Sequence, residues 1–163
     1  MKFLYLINLL ILATSQSLSA AEVGQTPPAC NAIEQIGSQK IDISAYQGKV
    51  LLIDFWATWC PPCKQSMPFL NKLRNLQQKH GFEILAINVD ENTEEAKSFL
   101  TQNPVDYKMA FDPEGDCPQK FAVKAMPSSY LIDKTGKIRL VHLGFRDEDQ
   151  KLIEEQVSTL LAE

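Results

Sequence analysis

Val50-Leu51-Leu52-Ile53-Asp54-Phe55-Trp56, followed after three residues by Cys60-Pro61-Pro62-Cys63, is the stretch that decides how this chain folds. Its first seven residues form an apolar run broken by one acid, the pattern of a strand buried on both faces. From Pro61 apolar residues recur at Met67, Leu70, Leu73 and Leu76 until Gly81, which reads as a helix. The two cysteines therefore stand where a buried strand hands over to a helix. Cys60 precedes the first helical turn, where unpaired backbone N–H groups and the helix dipole favour a thiolate. Proline at the first helical position has no hydrogen bond to lose. Cys63 lies one turn inside, better buried and close enough to attack a mixed disulfide formed at Cys60, so attacking and resolving roles separate by geometry.

Working outward, residues 22–40 read as an irregular lead-in containing Pro27-Pro28, and 41–46 as a short edge strand before the turn at Gly48. Pro68 should kink the first helix. Residues 82–89 suggest a second buried strand, 93–102 a helix capped at Asn92 or Thr93, 105–111 a third extended segment and 115–123 a short helix. Residues 128–133 and 137–143 flank the turn Lys134-Thr135-Gly136 as a hairpin. A closing amphipathic helix carries Leu152, Ile153, Gln156, Val157, Leu160 and Leu161. Strands alternating with helices, then a hairpin and a helix, describe an α/β sandwich with a mixed sheet.

The chain has 163 residues, 45% hydrophobic and 22% charged, which fits one globular domain. Sixteen Lys and Arg against 20 Asp and Glu give a formal charge of −4, and the basic residues are scattered, so no nucleic-acid partner is expected. Lys2, the apolar run 3–13 and the small and polar stretch 14–21 have the layout of a secretory signal, with Ser19 and Ala21 suited to a cut before Glu22. A spanning helix needs about twenty apolar residues, which makes a permanent anchor the weaker reading. Residues 1–21 are thus expected to be a signal peptide, 22–163 the working domain, and the periplasm its compartment. Outside the cytosol thiols tend to become disulfides. Cys30 and Cys117 then most simply bond to each other, with free buried thiols as the alternative. Neither they nor His80 and His142 supply the second ligand pair of a structural zinc site, so no metal and no cofactor is expected.

The sequence resembles the thioredoxin superfamily, and more closely its exported TlpA/ResA-like branch of thiol:disulfide oxidoreductases, which includes the cytochrome c maturation thioredoxins. The resemblance rests on the run from Asp54 to Cys63 (Asp-Phe-Trp-Ala-Thr-Trp-Cys-Pro-Pro-Cys), Pro68 in the following helix, and Met126-Pro127 ahead of a strand. It covers about residues 24–161; residues 43–49 match the branch's approach to the first core strand, and 82–102 its central insertion.

It implies a thioredoxin-like fold: a mixed central sheet flanked by helices, with a strand-helix insertion. Asp54 would be the buried acid beneath the disulfide that exchanges protons with Cys63, and burial should raise its pKa; the plainer alternative is a strand-end Asp satisfied by backbone donors. Glu91 falls where the branch often places an acid near its cysteines, although an exposed acid at a helix start is common. Pro127 matches the family's cis proline, and the backbone at Met126 would pair with an extended substrate segment. The family more often has Thr or Val at the position of Met126. Trp59 and Pro61 would line the substrate side of the cysteine pair, and Trp56 and Trp59 would shield the thiols, though core packing explains Trp56 equally well.

The implied activity is reduction of protein disulfides through a mixed disulfide at Cys60, resolved by Cys63. Implied partners are oxidised proteins such as an apocytochrome, and a membrane electron-delivering thiol protein that recharges the pair; the protein would act as a monomer. A thiol peroxidase of the same fold is one alternative, opposed by Ala57, since peroxide-reducing relatives usually carry Thr or Ser there. A copper-binding assembly protein is another; it would want a His ligand, and neither His80 nor His142 is placed by sequence near the pair.

Overall fold

A computed structural model describes residues 21–163. The expected signal sequence therefore lies outside the described residues, apart from Ala21. The described chain runs β1 (Ile33–Glu34), β2 (Val50–Trp56), α1 (Pro61–Gln77), β3 (Phe82–Asn88), α2 (Thr93–Gln102), β4 (Lys108–Phe111), α3 (Asp116–Phe121), β5 (Ser128–Ile132), β6 (Ile138–Leu143) and α4 (Asp149–Ala162). Six strands form one sheet in the order β1-β4-β3-β2-β5-β6. Strand β2 pairs parallel with β3 and antiparallel with β5, so the sheet is mixed and β2 is internal. All seven of its residues are buried, as a continuous apolar run requires. Among the described residues no helix is long and apolar enough to cross a membrane.

Alternation along β2 divides the core. Val50, Leu52 and Trp56 face Met67, Leu70 and Leu73 of α1 and Ile153, Val157 and Leu160 of α4. Leu51, Ile53 and Phe55 face the opposite layer, where Phe121 stands edge-on to Phe55 and Tyr130 at centroid distances of 5.2 and 5.0 Å. Each such ring buried contributes about 1.5–3 kcal/mol. Cys30 and Cys117 are bonded, with Cα atoms 5.0 Å apart, and tie the lead-in segment to α3 within this second layer.

Several sequence expectations shift. Residues 41–46 are not a strand: Asp42 Oδ1 accepts from the N–H and hydroxyl of Ser44 at 2.9 and 2.6 Å, and this local competitor turns Ile43–Tyr46 into a 3-10 helix. The sheet edge is instead β1, antiparallel to β4 and bridged from Ile33 to Lys40. The extended segment at 105–111 enters the ladder only at Lys108, because Asp106 N–H donates to Asn71 Oδ1 of α1 at 2.7 Å. Leu76 is exposed, since three steps of three residues rotate a helix by about 180° relative to Met67. Leu152 is exposed for a similar reason, one residue before the buried Ile153. Helix α1 remains one element through Pro68. It ends in a 3-10 turn at Gly81, whose φ of +94° lets the chain reverse into β3.

Candidate active site

Cys60 is the N-cap of α1, with φ −101° and ψ 101°, and Pro61 and Pro62 occupy the first two helical positions. The sulfur of Cys60 accepts from the N–H of Cys63 at 3.2 Å, in the place where a Ser or Asp side chain caps other helices. Cys60 and Cys63 form a disulfide, with Cα atoms 5.3 Å apart and both residues buried. On reduction the same N–H and the helix dipole stabilise negative charge on the Cys60 sulfur. Ser66 Oγ donates to the Cys63 carbonyl at 2.9 Å, one turn further along.

The loop between β2 and Cys60 is held from β3. Asp90, buried just past the strand end, accepts from Thr58 N–H at 3.0 Å, from Thr58 Oγ1 at 3.2 Å and from Asn88 Nδ2 at 2.8 Å. Val89 N–H donates to the Trp56 carbonyl at 3.0 Å. The sequence reading singled out Glu91, which is exposed, and passed over its neighbour Asp90. The available signal was the Asn-x-Asp spacing at a strand end opposite a half-buried threonine. Removing the Asp90 carboxylate would leave the donors of Thr58 and Asn88 unpaired at about 1–3 kcal/mol. Asp90→Ala is therefore expected to lose about 2 kcal/mol in urea melts and Asp90→Asn, which keeps an acceptor, clearly less; equal losses would contradict the assignment.

Asp54 points to the α1 side of the sheet, like Leu52 and Trp56, and is 2% exposed. Burial pushes its carboxyl up to about 7, opposed by the hydrogen bond it accepts from Ser129 Oγ at 2.6 Å. Tyr107, buried where the chain approaches β4, has its hydroxyl pushed up by burial and by the Asp54 charge. Neither Ser129 nor Tyr107 was singled out in the sequence, because nothing local marks them as neighbours of Asp54.

The raised carboxyl has a consequence for stability. An unfolded Asp releases its proton near 3.8, whereas the folded disulfide form holds it to about 7. Folding stability from this group therefore falls as pH rises between those values, by up to about 4 kcal/mol, and the penalty is complete above the folded value. Asp54→Asn removes that penalty but buries an amide whose donors need partners at about 2 kcal/mol, so a net gain of about 2 kcal/mol at pH 8 and a net loss of about 2 kcal/mol at pH 4 are expected. Thermal melts across that pH range check it; equal shifts at both ends would contradict it.

The remaining sequence candidates frame the disulfide unevenly. The Met126-Pro127 peptide is cis, and Gly144 N–H donates to the Pro127 carbonyl at 2.8 Å, anchoring this turn to the end of β6. Met126 is partly buried and Pro61 exposed. Trp56 is buried, its ring 5.7 Å from that of Phe99, whereas Trp59 is 65% exposed beside Cys60. An exposed aromatic next to the sulfurs offers an apolar contact. Among the described residues no three His, Cys, Asp or Glu side chains cluster as metal ligands.

Comparison with known proteins matches residues 22–159 to the family described as Redoxin. Thiol-disulfide oxidoreductase ResA of Bacillus thuringiensis subsp. konkukian is 33% identical over 117 residues, covering 72% of this chain and 67% of that protein. ResA of Geobacillus thermodenitrificans is 32% identical over 126 residues, or 77% of this chain and 72% of its own. A crystal structure from Chlorobium tepidum, described as a thiol:disulfide interchange protein DsbE, superposes with a TM-score of 0.82 at 38% identity, covering 87% of this chain and 99% of that one.

Proposed function

Because this chain belongs to the Redoxin family and is a thiol:disulfide oxidoreductase of the ResA and DsbE type, we propose that it is an exported reductase of protein disulfides, apocytochrome c among them. The observation that carries the direction of attack is the capping geometry at Cys60, whose sulfur alone receives a helix N-terminal N–H. The Cys60 thiolate attacks one sulfur of a substrate disulfide; that bond breaks, a substrate thiolate leaves, and a mixed disulfide forms at Cys60. Cys63 then gives its proton to Asp54, attacks the Cys60 sulfur and releases the second substrate thiolate. Two electrons pass to the substrate, and the Cys60–Cys63 disulfide remains. A carboxyl poised at about 7 takes or returns that proton near neutrality.

Trp59, Pro61 and the cis Met126-Pro127 turn form the docking side, where an extended substrate segment pairs with the backbone at Met126. Glu91 is assigned an auxiliary role near the pair. Residues 1–21 direct export and 22–163 act in the periplasm as a monomer. The Cys30–Cys117 bond supports a compartment without a reducing buffer. There a membrane thiol protein that delivers electrons would recharge Cys60–Cys63. The test is redox equilibration of residues 22–163 against glutathione and dithiothreitol standards, with reduction of an oxidised Cys-x-x-Cys-His peptide. A potential near that of thioredoxin, about −270 mV, together with peptide reduction is expected. A value near −120 mV, that of strong oxidants, would reverse the direction.

A further inference from the structure

The sheet register sets Asp54 opposite Ser129 and Ser129 opposite His142, across β2, β5 and β6. Directly opposed residues share a face, with Cβ atoms about 5 Å apart. The other residues of these strands on that face are apolar: Val50, Leu52 and Trp56 on β2, Leu131 on β5 and Leu140 on β6. One polar row thus crosses an apolar core beneath α1 and α4. Its inner link is the 2.6 Å hydrogen bond from Ser129 Oγ to Asp54. At its outer end His142 Nε2 lies 3.4 Å from Asp149 Oδ2 at the start of α4, yet is buried and makes no hydrogen bond. Exposure rises along the row, from 2% at Asp54 to 7% at Ser129, and to 14% and 20% of the side chains of His142 and Asp149.

We propose that this row is a proton path, along which the proton that Asp54 takes from Cys63 leaves through Ser129 Oγ to His142 and then to solvent beside Asp149. The inference rests on the thiol:disulfide reading above and makes Ser129 and His142 positioning residues for its proton step. As the Cys63 S–H bond breaks, its proton binds the Asp54 carboxylate. The Asp54 proton then passes to Ser129 Oγ while the Ser129 hydroxyl proton moves on, across one bridging water, to the imidazole of His142. The imidazolium releases it to bulk water, and Asp54 is ready for the next turnover. No electrons move along the row; both travel in the sulfur exchange. A path is needed because Asp54 has one hydrogen-bonding neighbour and almost no contact with solvent. The titratable groups around the row are Cys60 and Cys63 of α1, Tyr107 against Asp54, and Asp149 of α4 against His142. Asp149 Oδ2 also accepts from Arg146 N–H at 2.8 Å, which holds it in place beside the imidazole.

The test is single-turnover oxidation of the reduced protein by insulin, followed by tryptophan fluorescence between pH 5 and 9. Ser129→Ala and His142→Ala are each expected to slow resolution about tenfold, with Ser129→Thr restoring the rate to within about twofold and added imidazole restoring His142→Ala. Rates for both alanine variants within about twofold of the parent, or losses that neither threonine nor imidazole reverses, would overturn the path. Should either alanine variant fail to fold, the parent protein in heavy water decides: a solvent isotope effect above about 2 on resolution is expected, and its absence overturns the proposal. If the parent protein does not reduce insulin at all, the thiol:disulfide reading itself has failed; if it does and the variants match it, only the path has.

Discussion

Cys60→Ser is expected to abolish disulfide reduction, lowering the initial rate of insulin reduction by at least about a thousandfold, or roughly 4 kcal/mol of transition-state stabilisation. The effect is this large because, among the described residues, no second thiol is placed to substitute. Cys63 is fully buried behind Cys60, while Cys30 and Cys117 are bonded to each other in the opposite core layer. A serine hydroxyl still caps α1, since it accepts the Cys63 N–H as the sulfur does, so the fold should hold and the loss be chemical. Cys63→Ser gives the complementary result: attack at Cys60 proceeds, resolution does not, and the mixed disulfide accumulates. Insulin turbidity measures the first loss and intact-protein mass the second. Retention of a tenth or more of the parent rate by Cys60→Ser would remove Cys60 from the attacking role, and an adduct found on Cys60→Ser but not on Cys63→Ser would reverse the two assignments.

The paired substitution Cys30→Ala with Cys117→Ala is expected to cost about 4–5 kcal/mol of stability. The two cysteines are 87 residues apart in the chain, so their bond closes a long loop and removes much entropy from the unfolded state. Set against a typical total of about 5–15 kcal/mol, that loss brings the domain close to its folding threshold. Alanine is the right replacement because Cys117 is completely buried and a hydroxyl there would need a partner. Local docking survives the change: Asp112 Oδ2 accepts from Cys117 N–H at 2.6 Å, and Asp116 Oδ2 accepts from Asn31 N–H at 2.9 Å. Urea melts of the double variant with Cys60–Cys63 oxidised isolate this bond from the redox pair. A loss below about 1 kcal/mol would show that it contributes little to the fold. Insulin reduction per folded molecule should be unchanged, since the bond lies across the sheet from Asp54.

Much of the architecture was legible because it is encoded over short distances. The seven-residue apolar run of β2, the prolines that start α1, the Asn92 cap of α2 and the Gly136 turn of the hairpin each act within a few residues of their cause. Where the local reading missed, a competing local interaction decided. Asp42 captured Ser44 and replaced a strand by a 3-10 turn, and Asn71 held Asp106 off the ladder. Leu76 continues the three-residue spacing that marks α1 as a helix, although the turn of 3.6 residues carries it to the outside.

The sequence by itself determined that Cys60 begins a helix and Cys63 lies one turn within it, because capping, proline geometry and the helix dipole are properties of adjacent residues. It also determined that an acid sits within a buried strand. Only the tertiary structure decided what that acid meets: Ser129 lies 75 residues away in the chain, and His142 comes alongside Ser129 only when β6 pairs with β5. The clamp of Asp90 on Thr58, 32 residues apart, is of the same kind. Sheet register brings such partners together, and it is settled by the burial of whole faces rather than by any one residue's neighbours.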